Sequence, residues 1–187
     1  MINQNILKIL NIIILLMLYS CGFYSLSGSL PPHIKTIAIP MVENETAEFG
    51  IAENITDGIQ NRFNDEGILK VIDDNADSIL RGTVKKVTDG PYTYNKNESV
   101  SEYRYKIDVN IEWLDNKNEK TLLKGNYSGW GAYGLSGDIG TDGIDNDNDG
   151  KIDSDDEDEF GEPRLFASKV AVQKIAEDII NDIMTTW

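Results

Sequence analysis

The sequence predicts an α+β fold, a two-layer sandwich in which two helices pack on one face of a sheet. Three observations support it. In residues 49–63 and again in residues 172–187, apolar side chains recur every three or four positions, the period of a one-sided helix. Between these segments, residues 103–114 alternate apolar and polar, the period of a half-buried strand. Two one-sided helices need one apolar sheet face, so the other sheet face is expected to stay in water.

The N-terminal residues have the composition of a secretory signal. Lys8 precedes the apolar run at 12–18, which is shorter than the roughly 20 residues that a bilayer-spanning helix needs. Leu18 to Cys21 (LYSC) resembles the lipobox of bacterial lipoproteins, in which the cysteine is acylated and the chain is cut before it. We therefore predict a signal peptide at 1–20, lipidation at Cys21 and a lipidated tether at 21–32. The alternative is an uncleaved signal anchor with an incidental cysteine.

Residues 33–187 are predicted to form one domain in which the two periods alternate. The first helix places Ile51, Ile55 and Ile59 on one face, and Gly67 follows it where a left-handed cap is expected. The last helix carries a stripe that includes Val172, Ile175, Ala176, Ile179, Ile183 and Trp187. The predicted strands are 34–39, 69–72, 79–87, 103–114 and 121–127.

The charge of the chain is concentrated in one segment. Residues 138–162 contain nine aspartates, three glutamates and one lysine, so they carry −11 of the formal net charge of −15. Nucleic-acid binding needs a basic surface, which this composition excludes. The only histidine, His33, has no nucleophile or metal-ligand spacing around it, and we predict that the protein is not an enzyme.

The acidic segment contains a pattern typical of calcium loops. Counted from Asp145, acidic residues fall at positions one, three, five, nine and twelve, Gly150 is at six and Ile152 is at eight. The segment resembles EF-hand loops and, more closely, the type 3 repeats of thrombospondin. The alternative is a disordered acidic loop, whose uncompensated carboxylates repel one another. The predicted ligands of a structural Ca²⁺ are Asp145, Asp147, Asp149, the Lys151 carbonyl, Asp153 and Asp156.

Several motifs together resemble the LptE family of lipopolysaccharide-assembly lipoproteins. They are residues 30–40 (LPPHIKTIAIP), 43–46 (ENET), 76–82 (ADSILRG), 102–104 (EYR) and 176–180 (AEDII). The resemblance covers nearly all of the chain after Cys21 except the acidic insert at 138–162.

This resemblance implies two helices on a mostly antiparallel four-stranded sheet, and no catalysis. It implies a lipid-anchored protein on the periplasmic side of the outer membrane that plugs, and assists assembly of, the LptD β-barrel for lipopolysaccharide delivery. The residues that contact lipopolysaccharide are not assigned. Independently of the resemblance, Arg81, Lys85, Lys86, Arg104 and Lys106 offer cations to an anionic ligand, and the alternative is a solvated strand face. Two alternatives stay open: an envelope scaffold of the curli-secretion or TolB type, and a calcium-dependent surface adhesion module.

Overall fold

The computed structural model describes residues 30–134, Lys151 and residues 161–185, and this part of the chain forms the predicted two layers. The helices are α1 (Ile51–Glu66) and α2 (Pro163–Thr185). The strands are β1 (Thr36–Ala38), β2 (Glu43–Asn44), β3 (Lys70–Val71), β4 (Ser78–Tyr94), β5 (Val100–Asp115) and β6 (Lys120–Tyr133).

The sheet has six strands of mixed direction, so the expectation of a mostly antiparallel four-stranded sheet was wrong. β4, β5 and β6 form an antiparallel meander, but β1 pairs in parallel with both β3 and β4, and β2 pairs in parallel with β4. The chain leaves β1, returns along α1 and enters β3, and such a crossover makes the two strands parallel. β2 and β3 have two residues each, too few to show an alternating pattern.

The β4–β5 hairpin is longer than predicted, because β4 continues past Val87 to Tyr94. Gly90 and Pro91 have the composition of a turn, yet they pair with Arg104 and Tyr103 of β5. A register shift directly after Pro91 accommodates the missing amide hydrogen.

The predicted apolar faces form the core. Ile51, Ile55, Ile59 and Phe63 of α1 are buried, and so are alternate residues of β5 from Tyr105 to Trp113. Each such side chain contributes about 1.5–3 kcal/mol when it leaves water. The cap at Gly67 is confirmed: its φ is 62°, and its N–H donates to the Phe63 carbonyl at 3.1 Å.

α2 lies directly over β6, because two glycines of this strand leave room for the helix backbone. A Cβ added to Gly129 would stand 1.9 Å from the Ala171 carbonyl oxygen. A Cβ added to Gly131 would stand 2.4 Å from the Ala167 carbonyl oxygen. Both distances are far below van der Waals contact, so side chains at these positions would hold the helix away from the sheet.

The two helices also touch at a glycine. A Cβ on Gly58 of α1 would lie 2.4 Å from the Val172 Cγ1 of α2. The sequence identifies Gly58 only as an imperfection in a helix, and the structure gives its reason: the glycine admits the Val172 side chain between the helices.

Arg164 fixes the start of α2 to the rest of the domain. Its Nε donates to Asp89 Oδ2 at 2.6 Å, and its Nη2 donates to both carboxylate oxygens of Glu48 at 3.1 and 3.2 Å. The guanidinium carbon also lies 4.9 Å from the centroid of the Tyr105 ring. One side chain thereby ties α2 to β4, to β5 and to the loop before α1.

Candidate functional site

The sheet face without helices is the candidate binding surface. We call it the open face and define it by the outward side chains of β4, β5 and β6. The ladder aligns these side chains in rows: Arg81 with Glu112 and Lys124, and Thr83 with Asn110 and Asn126. Because side chains alternate across a strand, the apolar residues between these positions point to the helices, and the open face stays polar.

The open face carries cations without carboxylate partners. Arg81, Lys86 and Arg104 make no ion pair with any described residue, whereas Lys106 pairs with Asp108 at 2.7 Å. Glu112 and Asp108 lie opposite Arg81 and Lys86 in the ladder and weaken their attraction for an incoming anion, but they form no ion pair with them. These cations therefore suit a phosphorylated or carboxylated ligand.

The Asp108 carboxyl is held in its ionised form on this face. Partial burial opposes its ionisation, but hydrogen bonds from Lys106 and Ser128 lower the pKa of its carboxyl. The Ser128 hydroxyl donates to Asp108 Oδ1 at 2.8 Å. The Asp108 carboxylate therefore offsets Lys106 and, in part, Lys86, which lies opposite it in the ladder.

A shallow depression of about 410 Å³ lies on the open face beside β2. Thr83, Asn110 and Asn126 cross it in one row. Glu112 lies between Arg81 and Lys124 in the adjacent row and pairs with Lys124 at 3.4 Å. Hydroxyl and amide groups next to cations can hydrogen-bond a hydroxylated, anionic ligand from several sides.

An aromatic–cation cluster lies farther along the same face, toward the β4–β5 turn. We call Tyr92, Arg104 and Trp130 the tip cluster. The Arg104 guanidinium carbon is 5.0 Å from the Tyr92 ring centroid and 6.0 Å from that of Trp130, and the two rings are 5.5 Å apart. Tyr92 is 41% exposed and Trp130 is 38% exposed, so the rings present free surface as well as holding the guanidinium.

Arg104 is recognisable from the sequence as a candidate cation, but its aromatic partners are not. Tyr92 lay outside the predicted strand at 79–87, and Trp130 lay past the predicted end of the last strand at 127. The alternating exposure of β6 from Tyr127 to Tyr133 is the signal that places Trp130 on the open face.

The tip cluster and the N-terminal segment lie at opposite ends of the sheet. β1 pairs with the first residues of β4, and His33 Nε2 lies 2.7 Å from Asp115 Oδ2 at the end of β5. The 17 residues of β4 span about 55 Å at roughly 3.3 Å per residue. His33, at the start of the domain, therefore lies at the far end of the sheet from the tip cluster.

The sole histidine has a structural setting. Asp115, which is 2% exposed, accepts the Asn118 side-chain amide at 2.7 Å and the backbone amides of Lys117 and Asn118. Burial opposes the ionisation of Asp115, but these bonds and His33 hold its pKa at about 2. His33 thus contacts the Asp115 carboxylate, whose hydrogen bonds close the β5–β6 turn. The described residues near His33 include no nucleophile that it activates.

The remaining predicted site residues cannot be placed in the fold. Cys21 lies outside the described residues. Lys151 is described and exposed. Within residues 30–134, 151 and 161–185, no group of three or more His, Cys, Asp or Glu side chains is arranged to hold a metal ion. The other predicted calcium ligands, Asp145, Asp147, Asp149, Asp153 and Asp156, also lie outside the described residues.

Solved structures share this architecture at low sequence identity. The hypothetical protein CT253 from Chlamydia trachomatis is 9% identical with a TM-score of 0.51, over 80% of this chain and 98% of that chain. Protein XCC0632 from Xanthomonas campestris is 10% identical with a TM-score of 0.51, over 84% and 90%. The rare lipoprotein B from Shewanella oneidensis is 12% identical over 81% and 92%, but its TM-score of 0.40 is too low to support an argument. These likenesses concern the fold alone.

Comparison at the level of sequence is more specific than these likenesses of fold. Curated proteins yield no significant match, and no helix among the described residues is long and apolar enough to cross a bilayer. Residues 34–187 match the LptE family, whose description is lipopolysaccharide-assembly. This match extends from β1 through α2 and covers most of the chain, so the protein belongs to the LptE family.

Proposed function

We propose that this protein is an outer-membrane lipoprotein that plugs, and assists assembly of, an LptD-type β-barrel in the delivery of lipopolysaccharide. The family match over residues 34–187 carries this proposal. The lipobox-like residues before Cys21 support a lipid anchor on the periplasmic side of the membrane. The role is binding and positioning, without catalysis.

Within this function, the open face receives the phosphorylated part of the lipid. The unpaired Arg81 and Lys86 attract phosphate, and Arg104 adds a guanidinium that two rings already orient. Arg suits phosphate because its planar donors bind two oxygens at once. The exposed faces of Tyr92 and Trp130 offer flat apolar surfaces for sugar rings.

The lipid contact is tested with purified protein and lipopolysaccharide. Replacing Arg104 by Gln removes one charge-assisted contact, and we expect affinity to fall about tenfold. The doubly substituted Arg81→Gln, Lys86→Gln protein should bind still more weakly and depend less on salt. The control is Lys117→Gln, Lys174→Gln, which makes the same charge change in the β5–β6 turn and on α2, outside the open face. Equal losses in the control and test proteins would assign binding to net charge and not to this face.

The barrel partnership needs a separate experiment. The lipidated chain is purified from detergent-solubilised outer membranes, and the co-purifying proteins are identified. A large outer-membrane β-barrel in stoichiometric amount supports the proposal. A soluble envelope or cell-wall complex in its place would favour the scaffold alternative.

We also propose that residues 145–156 bind a structural Ca²⁺ through Asp145, Asp147, Asp149, the Lys151 carbonyl, Asp153 and Asp156. The spacing of these residues is the support, and an isolated loop of this kind has a Kd of about 10⁻⁴–10⁻³ M. Calorimetric titration should show Ca²⁺ binding that is lost in Asp147→Ala, Asp149→Ala. The control Asp138→Ala, Asp158→Ala removes two carboxylates of the same segment outside the ligand positions. Loss of the binding heat in both variants would indicate that Ca²⁺ associates with the acidic segment as a whole and not with these ligands.

A further inference from the structure

We infer that the free edge of β6 receives an extended strand from another protein, which adds a seventh strand to the sheet. This inference goes beyond the proposed function, because it concerns a surface other than the open face and does not depend on which partner supplies the strand. The strand order leaves β6 at one edge of the sheet, and β3, β2 and the end of β4 beyond Val84 at the other.

The two edges differ in length and protection. On the other edge, β3 and β2 have two residues each, and short edge strands offer little to pair with. The end of β4 pairs only with β5, but it carries Lys85, Lys86, Asp89 and Pro91, and charged residues and proline protect an edge. β6 has fourteen residues, and between Gly125 and Tyr133 it contains no charged residue and no proline. The usual devices that protect an exposed edge are therefore missing from the half of β6 nearest the tip cluster.

The backbone of this edge is unpaired in the described chain. β6 pairs with β5 along its whole length, and beyond that ladder no described residue forms a backbone hydrogen bond with it. In an antiparallel pair, alternate residues direct their N–H and C=O groups away from the partner. A row of such groups is a template for strand addition, in which main-chain hydrogen bonds supply the affinity.

The position of α2 restricts what can pair there. The Ala171 and Ala167 backbone lies directly above Gly129 and Gly131, so the helix axis runs over β6 itself. A second copy joined through β6 would bring its own α2 to about 5 Å from this one, the spacing of adjacent strands. Packed helices need 8–10 Å between their axes. The occupant is therefore a strand without a helix above it, and not a second copy of this chain.

The side chains beside the edge specify the partner further. Lys124, Asn126, Ser128 and Trp130 alternate on the open side of β6. A partner strand gains most with an acidic residue opposite Lys124 and with polar or aromatic residues opposite the others. On the helix side, the partner meets the flank of α2, so small side chains fit best there.

Site-specific photo-crosslinking in intact cells tests the inference with the full lipidated chain. A benzoyl-phenylalanine replaces Asn126 at the edge or Asn110 on the neighbouring strand. These two residues pair with each other and occupy the same face and register, so they differ mainly in distance from the edge. We expect a crosslink to another protein from position 126 and a several-fold lower yield from position 110. Equal yields would indicate contact with the whole face, and crosslinks to a second copy or within the chain would also overturn the inference.

Hydrogen exchange distinguishes strand addition from simple proximity. In the complex extracted in detergent, alternate amides of residues 125–133 should exchange at least about tenfold more slowly than in the purified chain alone. Unchanged exchange overturns the inference. A non-barrel protein crosslinked at position 126, with alternate amides protected, would confirm the inference and refute the proposed barrel partner. A co-purifying barrel without protection of these amides would support the proposed barrel partner and overturn the inference.

Discussion

The close approach of α2 to β6 gives the sharpest test of the fold, the substitution Gly129→Ala. The new methyl group would lie 1.9 Å from the Ala171 carbonyl oxygen and 2.8 Å from its carbon. Both are backbone atoms, so no side-chain rotation relieves the clash, and α2 must move away by about 1 Å or more. A gap of that size forfeits a quarter to a half of the dispersion attraction of the contacts that it opens.

Overpacking of a close-packed core costs about 1–3 kcal/mol, and the rigid contact places Gly129→Ala at the upper end of this range. The measurement is the free energy of unfolding, from urea denaturation followed by circular dichroism. Gly90→Ala is the matched control, because it lies on β4 and its Cβ would meet no atom within 4 Å. The control should be unchanged or slightly more stable. Equal stability of the two variants would refute the direct seating of α2 on β6.

Three further predictions concern stability. Because the pKa of Asp115 is about 2 in the folded protein and about 3.9 in an unfolded chain, its carboxylate stabilises the fold above about pH 4. That stabilisation should disappear as the pH falls to 2, and thermal melts of Asp115→Asn should lack this part of the pH dependence. Gly58→Ala should destabilise despite better helix propensity, and Val172→Ala should relieve the loss in a double-mutant cycle, whereas additive effects would exclude their contact. Arg164→Lys should cost about 1 kcal/mol, because an ammonium cannot reproduce the forked contacts of a partly exposed guanidinium. In the protein that already carries Arg164→Lys, the substitution Asp89→Asn should have little further effect on the free energy of unfolding.

Periodicity determined the parts of the fold that depend on burial. The buried stripes from Ile51 to Phe63 of α1 and from Val172 to Ile183 of α2 were confirmed, as was the alternation of β5, because a residue's side of a helix or strand follows from its spacing. Phe49, at the start of the first pattern, is 99% exposed, and Trp187, at the end of the second, lies outside the described residues. The cap at Gly67 was confirmed for a similar reason, since a local backbone requirement selects glycine there. The family resemblance was confirmed by the match over residues 34–187.

Features that depend on contacts between distant segments could not be predicted from periodicity. The parallel pairing of β1 and the formation of β2 arise from contacts between distant parts of the chain, whereas β3 lies within the strand predicted at 69–72. The tip cluster joins residues from three strands, and Tyr92 reaches it only because β4 continues through Gly90 and Pro91.

The sequence by itself determined the two layers, the faces of each element and the family. Only the tertiary structure decided the direction of the strands, the purpose of Gly58, Gly129 and Gly131, and the free edge of β6. The physical reason is that hydrophobic period is a local property of the chain. Strand order and the close approach of one backbone to another depend on the whole packed arrangement.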